Sequence, residues 1–299
     1  MTSPVSGSSA PLKGILYMIA GGALLTANDA VLKWLTGGYS TGQIMFIRGL
    51  FVFIPISYFV WRAGGIRCLR IVSVKGQAWR ALLVVAGTFC FVTGLSYLPL
   101  ADAVAIAFAG PLFITALASA FLKEIVGWRR WMAVFIGFMG VLIIIRPTGE
   151  AIQWAALLPL TASFTGAIRD IVTRHIAPGE QSATILVVTT TAVCLAGLTT
   201  APFGWAAVAM DDLGLFALSG LLLGSAHFLM IETFRYAEAA MVAPFKYSTI
   251  IWATALGFLI WGDIPDGWTL VGSVVVVASG IYILRRESWL RRQPLENDS

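Results

Sequence analysis

The sequence predicts an all-α integral membrane protein with ten transmembrane helices, arranged as two inverted five-helix repeats. Three observations carry that prediction. The 299-residue chain is 58% hydrophobic and only 12% charged, whereas a soluble domain carries about 25% charge. Its apolar residues gather into ten runs, each near the roughly 20 residues that a helix needs to cross a bilayer. The two halves of the chain also repeat one another at a nearly fixed offset.

The runs fall at 12–34, 41–61, 79–97, 100–122, 128–146, 153–175, 181–203, 213–236, 239–261 and 267–284. Backbone groups in hydrocarbon must be satisfied within their own segment, so the runs read as helices. The alternation expected of a membrane β-barrel is absent. Span 1 follows Lys13 and has the look of a secretory signal. It is read as a permanent span because span 6 repeats it. Helix breakers predict bends at Gly110-Pro111 in span 4, at Pro159 in span 6 and at Pro244 in span 9, since proline removes a backbone donor. Gly137 and Gly140 in span 5 suit close helix packing or a dimer contact.

Basic residues set the orientation. With the N-terminus inside, the inner side carries Lys13, Arg62, Arg67, Arg70, Lys75, Arg80, Lys123, Arg129, Arg130, Arg174, Arg235, Arg285, Arg286, Arg291 and Arg292, which is 15 of the 20 Lys and Arg residues. Lys33 and Arg146 fall at outer helix ends, while Arg48, Arg169 and Lys246 lie within spans. This bias predicts a multi-pass protein of the cytoplasmic (inner) membrane with both termini cytoplasmic. Most tryptophans, Trp34, Trp61, Trp128 and Trp261 among them, sit near proposed helix ends, at headgroup level. Trp252, in mid-span 9, is the exception.

The same composition excludes other classes. A +5 net charge spread over short loops gives no reason to expect nucleic acid as a partner; small molecules and membrane lipids are the expected partners of a monomer or homodimer. Cys68, Cys90 and Cys194 form no CxxC, and His175 and His227 are isolated, so no metal or disulfide framework is expected. Neither a phosphate-binding glycine loop nor a GxSxG elbow is present. The chain is therefore read as no enzyme, with no cofactor.

The repeat is explicit. Ser96 to Glu124 aligns with Arg235 to Asp263 at an offset of 139, pairing Tyr97 with Tyr236, Phe108 with Tyr247 and Glu124 with Asp263. Earlier in each half the offset is 141, pairing Asp29 with Asp170 and Lys33 with Arg174. Five helices per half is an odd number, so the halves enter the membrane from opposite sides. Inverted repeats are a transporter architecture with a substrate site near the midplane. These same stretches are similar to the drug/metabolite transporter superfamily, EamA type: NDAVLK (Asn28 to Lys33), FIRGLF around Arg48, the strip Leu95 to Phe113, acidic Glu124 and the glycine-rich Gly137 to Ile144. The resemblance implies two five-helix units, 12–146 and 153–285, flanked by cytoplasmic tails at 1–11 and 286–299. It also implies export of small metabolites, with amino acids, including aromatic ones, as the cargo of one branch. The second half departs from the pattern at Thr189, where Arg48 has no counterpart.

Ionisable groups inside spans are functional candidates. Asp29 with Lys33, and Asp170 with Arg174, are one helical turn apart and read either as anchoring pairs or as gating or coupling pairs. Arg48 lies about 10 Å inside span 2, so its guanidinium calls for Asp29, a carbonyl or a substrate carboxylate. His227 and Glu232 on span 8 point about 140° apart; His227 reads as a cavity wall and Glu232 as a coupling site or a hydrated interfacial acid. Lys246 is the candidate for a substrate carboxylate, with Tyr247, Phe108 and Trp252 around the apolar part of the cargo. Its alternative is a lysine snorkelling to the inner surface.

The function expected is a secondary transporter working by alternating access. The alternatives are a membrane channel, which would want one rotationally symmetric pore, and an interfacial lipid-modifying enzyme, which would want a catalytic cluster. The topology is directly testable. Cysteines near Arg70 and Gln293 should react only from the cytoplasmic side, and one at Asp211 only from outside. Labelling of Gln293 from outside intact cells would overturn the ten-span arrangement.

Overall fold

The computed structural model describes residues 9–62, 64–121, 127–145, 154–176, 180–236 and 242–292. Lys123, Glu124, Arg146 and Gln293, and the side chains of Arg130, Arg174, Arg235 and Pro244, lie outside that description. Among the described residues all regular structure is helical. The elements are α1 (Ser9–Leu35), α2 (Thr41–Arg62), α3 (Val74–Leu95), α4 (Leu100–Ala107), α5 (Gly110–Phe121), α6 (Trp128–Ile145), α7 (Leu157–Ile176), α8 (Ser182–Leu198), α9 (Met210–Tyr236), α10 (Ser248–Trp261) and α11 (Gly267–Arg292), with short 3-10 turns between. Seven segments are long and apolar enough to cross a membrane, and three shorter apolar helices, Trp131–Ile145, Phe245–Trp261 and Gly267–Ile283, accompany them.

Helices pair in matched sets. α1 packs on α9 and α3 on α7; α2 meets α9 and α3 meets α8; α1 meets α10, while α4 and α5 meet α7; α2 pairs with α8 and α6 with α11. Exchanging each helix for its counterpart in the other half returns the same pairs. In lipid the drive for such contacts is close packing rather than water release, so small residues sit at the crossings. Gly220 and Gly224 of α9 face Phe51 and Pro55 of α2; Gly87 and Gly94 of α3 face Thr165 and Pro159 of α7; Gly140 of α6 faces Val275 and the Gly272 carbonyl of α11. The centre is filled by Leu32, Leu35, Ile44, Leu95, Leu100, Ile106 and Leu112, each 1% exposed or less.

Several boundaries differ from the sequence reading, each for a physical reason. Span 4 is two helices, because the chain turns at Phe108 and Ala109 before Pro111 opens α5. Span 9 begins as a 3-10 turn, Ala243–Tyr247, with Pro244 in its first positions. Pro159 bends nothing: it occupies the first turn of α7, where a missing amide costs no helical bond. Pro55 stands inside α2 instead, its ring seated against Gly224. α3 starts at Val74, five residues before the expected 79, which puts Arg80 inside a helix rather than at its edge. α11 runs on through Arg285 to Arg292, so that part of the expected tail is helix.

The α2–α9 contact leaves no room for a methyl group at Gly224, because a Cβ there would collide with the rigid Pro55 ring. Gly224→Ala should destabilise the protein by about 1–3 kcal/mol, read as a lower melting temperature in detergent. Adding Pro55→Ala should restore part of the loss. An unchanged melting temperature in Gly224→Ala would mean that this crossing is looser than the structure shows.

Candidate functional site

Ser73 caps α3 by accepting from the Gly76 amide at 3.3 Å. Glu180, in the turn before α8, accepts from the Val72 and Ser73 amides at 2.9 and 2.8 Å. These contacts accompany a start of α3 five residues earlier than expected, which places Arg80 within the helix. There its Nε donates to Thr173 of α7 at 2.8 Å, and its Nη1 donates to Thr189 of α8. One guanidinium thus joins three helices through neutral hydroxyls.

Arg169 of α7 lies beside it. Its guanidinium pairs with Asp170 at 2.7 Å and reaches back toward Gly166. Asp170, expected to pair with Arg174, is paired by its neighbour Arg169; the Arg174 side chain lies outside the described residues. Lys246, in the 3-10 turn before α10, is solvent-accessible and within electrostatic reach of Asp170 and Arg169. His227 continues the α9 stripe of Gly220 and Gly224 that faces α2, because residues three and four apart share a helix face. The exposed stripe of α9 runs through Leu218 and Leu221 instead. His227 is nonetheless exposed. Its Nδ1 contacts the Leu223 carbonyl at 2.9 Å, and Arg48, Arg80 and Arg169 all act on it electrostatically.

A second cluster lies in the first half. Ser219 of α9 donates to Asn28 at 2.7 Å, and Asn28 donates to Asp29 at 3.0 Å. Arg48 is 5% exposed, faces Asp29, and leaves its Nε buried with no hydrogen bond. Asp29 does not form its expected pair with Lys33. Lys33 turns to the Leu98 carbonyl at 2.6 Å and lies 5.3 Å from the Trp261 ring. An i,i+4 pair is worth only about 0.2–0.5 kcal/mol, less than these contacts together offer a lysine in apolar surroundings.

The two clusters correspond. At the offsets of the repeat, Asn28 and Asp29 match Arg169 and Asp170, Arg48 matches Thr189, and Ser219 matches Arg80. The contacts agree with that register: Gly21 approaches the Ala226 carbonyl as Gly87 approaches that of Ala162. The arginine absent at Thr189 is thus supplied from α3, and Thr189 accepts it.

The broken helices also meet at matched residues. Phe108, at the α4–α5 turn, lies 4.8 Å from Tyr247, and Gly280 makes room for the tyrosine hydroxyl. Trp252 is not part of this pair: it shares the exposed stripe of α10 with Ile251 and Leu259. Glu232 lies near Arg62 at the end of α2, apart from His227. Two open grooves of about 400 and 370 Å³, beside Trp128 and Tyr282 and beside Trp61 and Val187, hold none of these charged residues; converging polar side chains mark the site better than groove size. Among the described residues no group of three or more His, Cys, Asp or Glu side chains could hold a metal.

Charged side chains thus cluster between apolar helices. The EamA-like transporter family matches residues 12–146. A riboflavin transporter of Rhizobium johnstonii is 30% identical, over 98% of both chains. The chain belongs to the EamA-like transporter family. It is a multi-pass membrane transporter of small molecules and not an enzyme, as the resemblance to the drug/metabolite transporter superfamily implied. An S-adenosylmethionine uptake transporter of Rickettsia bellii is 26% identical, over 88% of this chain and 90% of its own. A crystal structure shares the fold at a TM-score of 0.65, covering 96% of this chain and 100% of the other at 14% identity.

Arg80 escaped the sequence reading because the charge count placed it at the inner edge of span 3, and Arg169 because helical spacing pointed to Arg174 as the partner of Asp170. The loop contact at Glu180 is testable by pH. Burial opposes its ionisation, but the Ser73 and Val72 amides and the nearby Gln77 side chain outweigh burial and hold the carboxyl below its ordinary value. A depressed folded value stabilises the protein above the unfolded value of about 4.3 and loses that contribution as pH falls through the folded value. Wild type should therefore exceed Glu180→Gln in thermal stability at pH 7, with the gap closing as the pH is lowered past about 4. A gap that stays constant from pH 7 to pH 4 would show that the carboxylate charge contributes nothing to this tie.

Proposed function

We propose that this transporter moves a small metabolite across the cytoplasmic membrane by alternating access between two inverted halves, 12–146 and 153–285, with ten spans and cytoplasmic termini. The observation that supports the reading most is the matching of the main helix contacts: α1–α9 with α3–α7, α2–α9 with α3–α8, and α1–α10 with α5–α7 exchange into one another when the halves are exchanged. Such a scaffold has two arrangements of similar energy, one open to each side.

Loop ties at the two ends support it. At the expected outer end, Tyr39 donates to Asp212 at 2.6 Å and accepts from the Ala209 amide, while Gln43 exchanges two hydrogen bonds with Ala206. At the expected inner end, Glu180 holds Val72 and Ser73. Tyr39 and Glu180 occupy equivalent places, each just ahead of the second helix of its half. Opening either end requires breaking one set. Asp29, Asp170, Lys33 and Glu232 are the ionisable groups available to link such a change to ions.

For cargo, the relatives named for riboflavin and S-adenosylmethionine draw the reading away from amino acids toward metabolites with a flat heteroaromatic ring, which the Phe108–Tyr247 pair could stack against. Export was implied by the resemblance, while the Rickettsia relative is named for uptake; counterflow in proteoliposomes reads movement in either direction. The test uses labelled riboflavin, S-adenosylmethionine and aromatic amino acids at matched protein incorporation. Cysteines replacing Tyr39 and Asp212, joined by a bifunctional thiol crosslinker, should abolish exchange without unfolding the protein. Normal exchange by the crosslinked protein would overturn alternating access.

A further inference from the structure

We infer that the inner half of the bundle holds an anion site, in which Arg80 and Lys246 take the carboxylate or phosphate group of an anionic cargo. The inference rests on the transporter reading and names its substrate class. Four charged residues from three elements gather around one ion pair: Arg80 of α3 and Lys246 ahead of α10 are each within electrostatic reach of Arg169 and Asp170 of α7. Asp170 is held in contact with Arg169, so that pair is neutral overall. Arg80 is held by two threonine hydroxyls, which fix a guanidinium without cancelling its charge. Of its five N–H donors, these bonds occupy two, and the side chain is partly accessible. Lys246 is exposed as a residue, and its ammonium makes no hydrogen bond among the described residues. Two cations without contacting carboxylates are costly in an apolar bundle, and a ligand anion would repay that cost.

His227 is within reach of Arg80 and Arg169 on one side and Arg48 on the other. Arg48, buried with an unsatisfied Nε, is a second stop for the same negative group. Arg80 and Arg48 thus both lie within electrostatic reach of His227.

The test reads the charge of the site without knowledge of the cargo. With Cys68, Cys90 and Cys194 replaced by serine, a single cysteine at Gly166, where only the Arg169 guanidinium comes near, is reacted with sulfonatoethyl and trimethylammonioethyl methanethiosulfonates. The anionic reagent should be favoured roughly tenfold over its ratio with a free thiol. Lys246→Met, and separately Arg80→Gln, should reduce that bias, while Arg80→Lys should keep it and so separate charge from folding. A ratio equal to that of the free thiol overturns the anion site. The second arm is counterflow with riboflavin against flavin mononucleotide and glutamine against glutamate, solutes paired by charge. Faster exchange of the anionic partner, lost in Lys246→Met, supports the inference. Exchange of the neutral partners alone overturns it and leaves the transporter reading standing. If no solute moves, the transport reading fails for this panel, and the thiol ratio alone decides the anion site.

Discussion

Arg80 is held inside the bundle by two hydroxyl groups, and much of the inner half is arranged around that requirement. A guanidinium cannot be left without acceptors in apolar surroundings, and a carboxylate partner would cancel the charge. Threonines do neither. Thr173 and Thr189 come from different helices, so satisfying Arg80 also fixes α3 against α7 and α8. The reach is short enough only because α3 and α7 approach closely, with Gly76, Gly87 and Gly94 set against Ile176, Thr165 and Pro159. Packing and charge placement are therefore one constraint. Bulk at those glycines would separate the helices and strand the cation.

The scaffold is matched between halves, whereas the charges are not. Arg48 belongs to the second helix of its half and Arg80 to the third, each opposite a hydroxyl residue at the position the other vacates in the repeat, Thr189 and Ser219. Both clusters keep an aspartate on the leading helix. The first sets it beside Asn28 and the second beside Arg169, which adds a cation to the inner cluster alone. Lys246 adds another, since its counterpart is Ala107. On the alternating-access proposal, a charged solute would experience the two states differently, because the two clusters carry different charges.

That the chain is an all-helical membrane protein was legible in the sequence, because an apolar run of about 20 residues matches the thickness of a bilayer and exceeds what most soluble cores bury in one stretch; seven of the described segments reach that length. The interruptions at Gly110-Pro111 and Pro244 were legible too. Arg80 was misplaced because the start of α3 depends on a contact from Glu180, more than 100 residues away, which no local pattern records. Helical spacing paired Asp29 with Lys33 and Asp170 with Arg174, yet spacing yields only a weak attraction. Asn28 and Arg48 for Asp29, and the Leu98 carbonyl with the Trp261 ring for Lys33, were invisible until the helices were packed. Trp252 was assigned to the cargo because it lies in mid-span. Facing direction, fixed by the buried stripe of Thr249, Ala253 and Gly257, turned it outward. Thr189 appeared as a gap in the repeat, although it marks where the arginine of the other helix arrives.

Irregular backbone within a membrane is tolerated only where protein or a water-filled crevice covers it. Both interruptions meet that condition against each other. The turn at Phe108 and Ala109 and the 3-10 segment Ala243–Tyr247 come together through the Phe108–Tyr247 ring pair, and the absent Cβ of Gly280 admits the tyrosine hydroxyl. That hydroxyl and Ser248 Oγ are buried without partners, while the adjoining Lys246 is accessible. Unsatisfied polar atoms beside loosened backbone make this the part of the bundle least committed to one arrangement. It is also where residues of both halves touch and where the anion-facing lysine originates. A shift that engaged Lys246 with a ligand would bear directly on the Phe108–Tyr247 contact and thereby on the packing of α4 and α5 against α7. On the alternating-access proposal, the same two breaks would couple occupancy of the proposed anion site to the relative position of the halves.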